Sequence, residues 1–224
     1  MLLYAITDRD RLHGNDDNAR RASLVSLAAQ WAERHIDYIQ IREKDLDPPA
    51  LLTLTRQIVS AVRKESQTVR VLLNGPAHIA IEADADGVHL PAGSPPGAAH
   101  DARLLFASAG VDAILSYACH SHAEVLKAKE ESQHNPYATV NNTLILYAPV
   151  FEKTIHGETL LPGLGLESLH AAAEAARPIP LLALGGITRE NSPACLAAGA
   201  AGIAAIRFFL NNDWHSLKSP NSDE

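Results

Sequence analysis

The chain has few of the features that would mark a specialised class of protein. Its 224 residues include only two cysteines, Cys119 and Cys195, far apart and without metal-ligand spacing. That excludes a disulfide framework and a zinc knuckle, and both thiols read as reduced and in or near the core. No basic block occurs, and the formal charge is −7, which argues against nucleic acid or an anionic membrane as a partner. No apolar run approaches the ~18 residues of a membrane-spanning helix. Met1 leads straight into a strand without a basic leader, so a cytoplasmic protein is expected. No short-period repeat is present either. What remains is ordinary globular composition, 46% apolar and 20% charged, at a length that suits one large α/β domain.

Periodicity divides this chain into alternating strands and helices. Strands are expected at Leu2–Ile6, Tyr38–Ile41, Val69–Leu73, Gly87–Leu90, Ala113–Ala118, Thr143–Val150, Leu181–Leu184 and Gly202–Ile206. Between them, Leu24, Leu27, Ala28 and Trp31 mark the stripe of a helix over Ala22–Arg34, preceded by a polar loop. Asp47 and Pro48 open a second helix reaching about Glu65. Pro76–Ile81, Ala98–Ser108 and Leu166–Ala176 are further helices. Ser121 with Glu124 forms a capping-box signal for another, and Thr188 is placed to cap a helix from Arg189. Ser132–Asn142 reads as a surface excursion, and Glu152–Gly165 as a long lid loop. Eight strands with polar residues after each predict a single (β/α)8 TIM barrel over residues 1–215, rather than a doubly wound open sheet. Residues 216–224 read as a frayed tail.

Chemistry is sought at the strand ends. Gly185 and Gly186 follow one short apolar strand, and the strand from Gly202 through Ala204 and Ala205 follows soon after. Bare amides and helix starts at two neighbouring strand ends predict a cradle for a small-molecule phosphate ligand. Gln40, Arg42 and Lys44 alternate, so all three can project one way, a set suited to phosphate or pyrophosphate. The competing reading pairs those cations with Glu43 and Asp45. Glu152 and His120 follow strands and are the candidates for proton transfer, whereas His89 inside its strand reads as structural and His156 as lid decoration.

Tyr4-Ala-Ile-Thr-Asp8, Ile39-Gln-Ile-Arg-Glu-Lys-Asp45, Gly87-Val-His-Leu90, Pro149-Val-Phe151, Ala183-Leu-Gly-Gly-Ile187 and Gly199–Ile206 occur in this order. Together they resemble the thiamine phosphate synthase/TenI superfamily over about residues 2–210. The resemblance implies a (β/α)8 barrel that binds a thiazole phosphate. It also implies pyrophosphate of a hydroxymethylpyrimidine substrate on Gln40, Arg42 and Lys44, with Asn74 beside them. Where the synthase branch carries its two Mg²⁺-ligand carboxylates, this chain has Gly75 and Ser94. That departure, with Val150-Phe-Glu152, resembles the TenI branch, although Ala148-Pro149 stands where that branch has its His. The first expectation is thus a TenI-like thiazole tautomerase with no metal or cofactor, insensitive to chelator. The alternatives are a divergent thiamine phosphate synthase, for which Mg²⁺ would be the cofactor, and a catalytically silent phosphate binder. A homo-oligomer is left open.

Overall fold

In the computed structural model, eight parallel strands alternate with helices and close on themselves. The structure describes residues 1–155, 158–211 and 214, with the backbone alone for 153–155 and 158–161. The strands are β1 (Leu2–Ile6), β2 (Tyr38–Ile41), β3 (Arg70–Leu73), β4 (Gly87–Leu90), β5 (Ile114–Cys119), β6 (Thr143–Tyr147), β7 (Lys153–Ile155), β8 (Glu158–Leu161), β9 (Leu181–Leu184) and β10 (Gly202–Ala205). The barrel runs β1-β10-β9-β6-β5-β4-β3-β2 and returns to β1, while β7 and β8 form a separate antiparallel pair. This is the expected (β/α)8 barrel, and closure removes the open-sheet alternative.

Alternation along each strand divides the apolar residues between two cores, because successive side chains point to opposite faces. Tyr4, Ile6, Leu144, Leu146, Leu182 and Ala204 fill the barrel interior. Leu3, Ala5, Ile39, Ile41, Ile145, Ala183 and Ile203 face outward and pack on the helices. The helices are α1 (Asp17–Glu33), α2 (Pro48–Glu65), α3 (Ala77–Glu82), α4 (Ala98–Ser108), α5 (His122–Gln133), α6 (Gly165–Ala176), α7 (Ser192–Ala197) and α8 (Arg207–Leu210). Trp31 of α1 meets Phe209 edge-on, and Phe209 also packs on Trp214. The expected tail at 216–224 lies outside the described residues. Among the described residues, no helix is long and apolar enough to cross a membrane.

Four local expectations are corrected or refined. Helix α1 starts five residues earlier than its apolar stripe suggested, because the Asp16 side chain caps Ala19 N at 2.8 Å and Asp17 in the first turn is held by Arg9 and Arg21. Ser132–Asn142 does run over the surface, with most of its residues exposed, but it is anchored: Ser132, Asn135 and Asn142 are buried. The buried Arg103 guanidinium holds that stretch, donating to Asn142 O at 3.0 Å and to Thr143 Oγ1 at 2.9 Å. The lid is a β7–β8 hairpin rather than a structureless loop, and His156 lies outside the described residues. Finally, α7 begins at Ser192, not Arg189, because Thr188 and Asn191 bond each other in a turn, with Thr188 N on Asn191 Oδ1 at 2.8 Å.

Candidate active site

The C-terminal strand ends surround one mouth, and its two halves are built differently. The first half is made by β1 to β4. Ile41 of β2 pairs with Leu73 of β3, which brings the residues that follow, Arg42 and Asn74, side by side. Gln40 points into the barrel and is buried; its Oε1 accepts from the Tyr4 hydroxyl at 3.1 Å. Arg42 is half-buried and Lys44 exposed. The competing reading of this segment fails, because Glu43 and Asp45 do not pair with these cations. Both bind Arg9, which leaves the end of β1 and is 4% exposed. Its Nη1 donates to Glu43 Oε2 at 2.9 Å and to Asp45 Oδ1 at 2.7 Å, and its Nη2 also donates to Asp45. Its hydrogen bond holds the Asp45 carboxyl down at about 2, whereas burial pushes Glu43 above the usual carboxylate range. Among the described residues, no carboxylate forms an ion pair with Arg42 or Lys44.

Below these cations lies a buried polar chain. His89 Nδ1 is 2.9 Å from Ser116 Oγ, Ser116 Oγ is 2.8 Å from the Tyr4 hydroxyl, and Tyr4 reaches Gln40. His89 is pushed down to about 3, first by burial and then by the charges of Arg42 and Lys44, so it is neutral near pH 7. Tyr4, Ser116 and Arg9 were not singled out from the sequence. Ser116 had a signal, a polar residue on the inward register of an apolar strand. Arg9 had a weaker one, the sign alternation of residues 42–45, which demands a third party to decide who pairs with whom.

The second half is made by β6, β9 and β10. Gly185 and Gly186 both have positive φ, 98° and 64°. A Cβ on Gly185 would lie 2.7 Å from Pro149 Cα, and one on Gly186 would lie 2.7 Å from Phe151 Cβ. The glycines are therefore required by close backbone approach as well as by turn geometry. Val150 N donates to Leu184 O and Phe151 N to Gly185 O, which sets Glu152 beside the turn. Asn191 Nδ2 donates to Gly186 O at 2.8 Å and fixes that peptide. Outside the barrel ladder, the amides of Gly186 and Ile187 meet no acceptor among the described residues.

The remaining expected residues are distributed unevenly. Gly202 does not reach the mouth: it opens β10 opposite Leu2, and a Cβ there would lie 2.0 Å from Leu2 O at the far end of the barrel. Ala204 faces the interior core and Ala205 the helices. The expected helix starts are weak too, since α7 opens well past β9 and α8 is a single turn. His120 is exposed and follows β5, with its Nδ1 2.6 Å from Ala148 O. The Glu124 carboxylate accepts from His120 N, not from Ser121 N, so the expected capping box is only half formed, by Ser121 Oγ on Glu124 N. At the positions examined for Mg²⁺, Gly75 has no side chain, and Ser94 Oγ donates to Pro91 O at 2.7 Å. Asp86 is at the far end, bonded to Arg63 and Arg70. No group of three or more His, Cys, Asp or Glu able to hold a metal occurs among the described residues.

The two cations and the glycine turn lie at the C-terminal strand ends of a closed barrel, the face at which (β/α)8 enzymes carry their active sites. The comparisons give the family. The model of the thiamine monophosphate synthase family matches residues 3–209, and the chain belongs to that family. It is 31% identical over 209 residues to a putative thiamine-phosphate synthase 2 of Aquifex aeolicus, covering 93% of this chain and 97% of that one. It is 36% identical over 205 residues to a thiamine-phosphate synthase of Chlorobium luteolum, covering 92% and 83% respectively. In fold it is similar to a thiamine phosphate pyrophosphorylase from Pyrococcus furiosus, with a TM-score of 0.71, 24% identity, and coverage of 96% and 90%.

Proposed function

We propose that this chain is a thiamine-phosphate synthase that joins hydroxymethylpyrimidine diphosphate to thiazole phosphate, releasing pyrophosphate. The observation that carries this reading is the pair of cations, Arg42 and Lys44, which have no carboxylate partner among the described residues. A thiazole tautomerase, whose substrate carries a phosphate monoester and a carboxylate, has no diphosphate to hold. Relatives named as thiamine-phosphate synthases along nearly the whole chain support the same choice. The synthase therefore replaces the tautomerase as first reading.

In this reading the diphosphate lies against Arg42 and Lys44, with Asn74 beside them, and a guanidinium there can hold two of its oxygens at once. The thiazole phosphate anchors its anion on the Gly186–Ile187 amides across the mouth. Bound this way, the thiazole nitrogen faces the pyrimidine methylene carbon. The new C–N bond forms as the C–O bond to pyrophosphate breaks, and the electron pair leaves with pyrophosphate. Positive charge from Arg42 and Lys44 stabilises that departing anion more than it stabilises the bound substrate. Magnesium usually requires one or two anchoring carboxylates beside substrate oxygens. Gly75 and Ser94 do not provide them, so the residues at these positions do not fit a protein-anchored ion.

The test is formation of thiamine phosphate from the two substrates, read together with pyrophosphate release. Product from the parent chain is expected, with a loss of about 10²-fold or more in Arg42→Gln/Lys44→Gln, as for removing positioned electrostatic donors. No product from the folded parent, alongside turnover of a thiazole carboxylate phosphate tautomer, would return the tautomerase to first place. Glu152 beside the glycine turn is the observation that keeps that second reading in view.

A further inference from the structure

The end of β2 reads Arg42-Glu43-Lys44-Asp45, cations and anions in strict alternation. Left alone, such neighbours neutralise one another. Here one buried side chain prevents it. Arg9 uses Nη1 and Nη2 on Glu43 and Asp45 and Nε on Asp17 at 2.8 Å, so its three nitrogens are committed to three acids. Thr7 Oγ1 completes the arrangement, donating to Glu43 Oε1 at 2.6 Å and accepting from Arg42 N at 2.9 Å. The acidic face of the segment is thereby fixed to β1 and the start of α1, and the basic face is left for the mouth.

We propose that Arg9 is a positioning residue for diphosphate recognition: by holding Glu43 and Asp45 it keeps both carboxylates off Arg42 and Lys44. The proposal rests on the reading of Arg42 and Lys44 as the diphosphate site. A buried ion pair is weak ground for a purely stabilising role, since desolvation offsets most of the attraction. Its specific consequence lies in which charges remain available. Without Arg9, Glu43 and Asp45 lose the cation they share; Asp45 is exposed and adjacent to Lys44 in sequence, Glu43 lies between the two cations, and Arg21 is the other cation that acts on Asp45.

The measurement is calorimetric titration of inorganic pyrophosphate into the full-length protein, with circular dichroism and thermal melting to confirm folding. Arg9→Gln is expected to weaken pyrophosphate by about tenfold or more, the scale of one lost charge-assisted contact, while thiazole phosphate affinity stays within about twofold. The triple variant Arg9→Gln/Glu43→Gln/Asp45→Asn, which removes the competing carboxylates as well, is expected to recover most of the loss. A structural role alone predicts no such recovery. Unchanged pyrophosphate affinity in folded Arg9→Gln, a loss that the triple variant fails to restore, or equal loss for both ligands would overturn the proposal. If Arg9→Gln does not fold, the triple variant decides: parent-like pyrophosphate binding upholds the role and weak binding rejects it. A parent that does not bind pyrophosphate also rejects it. Arg9-dependent pyrophosphate binding by a protein that makes no thiamine phosphate would instead sink the synthase reading and leave this one standing.

Discussion

In the proposed reading, the two halves of the mouth meet negative charge by opposite means. On the β1–β4 side, long side chains carry full charges, and a buried guanidinium must arbitrate among five ionised neighbours before two of them are free. On the β6–β10 side, there is little formal charge to arrange. In the proposed reading uncovered amides do the binding there, and the requirement passes to the backbone, where Gly185 and Gly186 must approach Pro149 and Phe151 closely. Side-chain sites can be retuned by one neighbouring charge, whereas backbone sites fail when the local path of the chain is altered. The two halves should therefore break differently, one in ligand affinity with the fold intact, the other in fold and affinity together.

Gly185→Ala should show the largest effect. The new Cβ would sit 2.7 Å from Pro149 Cα at a φ of 98°, so strain and overlap add. A destabilisation of ~2 kcal/mol or more is expected, a drop of several degrees in Tm for a chain of this size, with weaker thiazole phosphate binding. Gly93→Ala is the internal control. Its φ of 79° carries the same conformational penalty, but nothing lies within 4 Å of the added carbon. Equal Tm losses in both variants would show that close approach at Gly185 does not matter. The same geometry bears on Gly186→Asp, for which sequence alone predicts lost phosphate-ligand binding with little loss of fold. Its Cβ would press on Phe151, so the loop carrying Glu152 would have to move.

That contrast also marks how far sequence reading reaches. Most strand positions were legible, because burial on one or both faces imposes its pattern directly; β2, β4 and β9 begin and end where expected, whereas β6 stops at Tyr147, three residues short of the expected Val150. The glycine turn was legible because positive φ and close approach leave few substitutes. Gly202 misled for the same reason: its missing side chain answers to Leu2 O at the far end of the barrel, and sequence does not say which neighbour a glycine accommodates. Arg9 was invisible as a site residue, since its role depends on three acids contributed by two other segments. Likewise, the buried chain from Gln40 through Tyr4 and Ser116 to His89 joins four strands, and only barrel closure brings them together.

His89 offers a smaller, sharper test of the cationic half. Its folded-state value of about 3 lies below the ordinary ~6.5, so between those values the unfolded chain binds more protons than the native one. Stability from keeping this imidazole neutral is fully present above pH 6.5 and is lost as pH falls toward 3. The slope is at most about 1.4 kcal/mol per pH unit for one group. Asp45, held down at about 2, loses its own contribution only at lower pH, so pH 6.5 to 4.5 isolates the imidazole from it. Glu43, pushed up by burial, works in the opposite direction, but it is common to parent and variant and drops out of their difference. His89→Asn should flatten the parent's acid slope in chemical denaturation across that window. A variant as acid-sensitive as the parent would mean that His89 is not the buried neutral group described.

The smallest effect is expected at the two residues that sequence marked for proton transfer. The proposed synthase reaction exchanges a C–O bond for a C–N bond and needs no carbon-bound proton removed, so neither Glu152 nor His120 has an essential acid–base task in it. Their surroundings agree with a supporting role. His120 places Nδ1 on Ala148 O, and Ala148 N in turn bonds Cys119 O, so the imidazole helps join the ends of β5 and β6. Glu152 is exposed beside the glycine turn, where a carboxylate would repel a bound phosphate rather than attract it. Thiamine phosphate formation by Glu152→Gln and by His120→Asn should stay within about threefold of the parent, well short of the 10²–10⁴-fold loss typical of removing a general base. Glu152→Gln should also bind thiazole phosphate slightly more tightly, with the gain shrinking as salt is raised. A collapse of turnover in either variant, with both substrates still bound at parent affinity, would make that residue a proton-transfer group. It would also separate the glycine half of the mouth from a purely anchoring role.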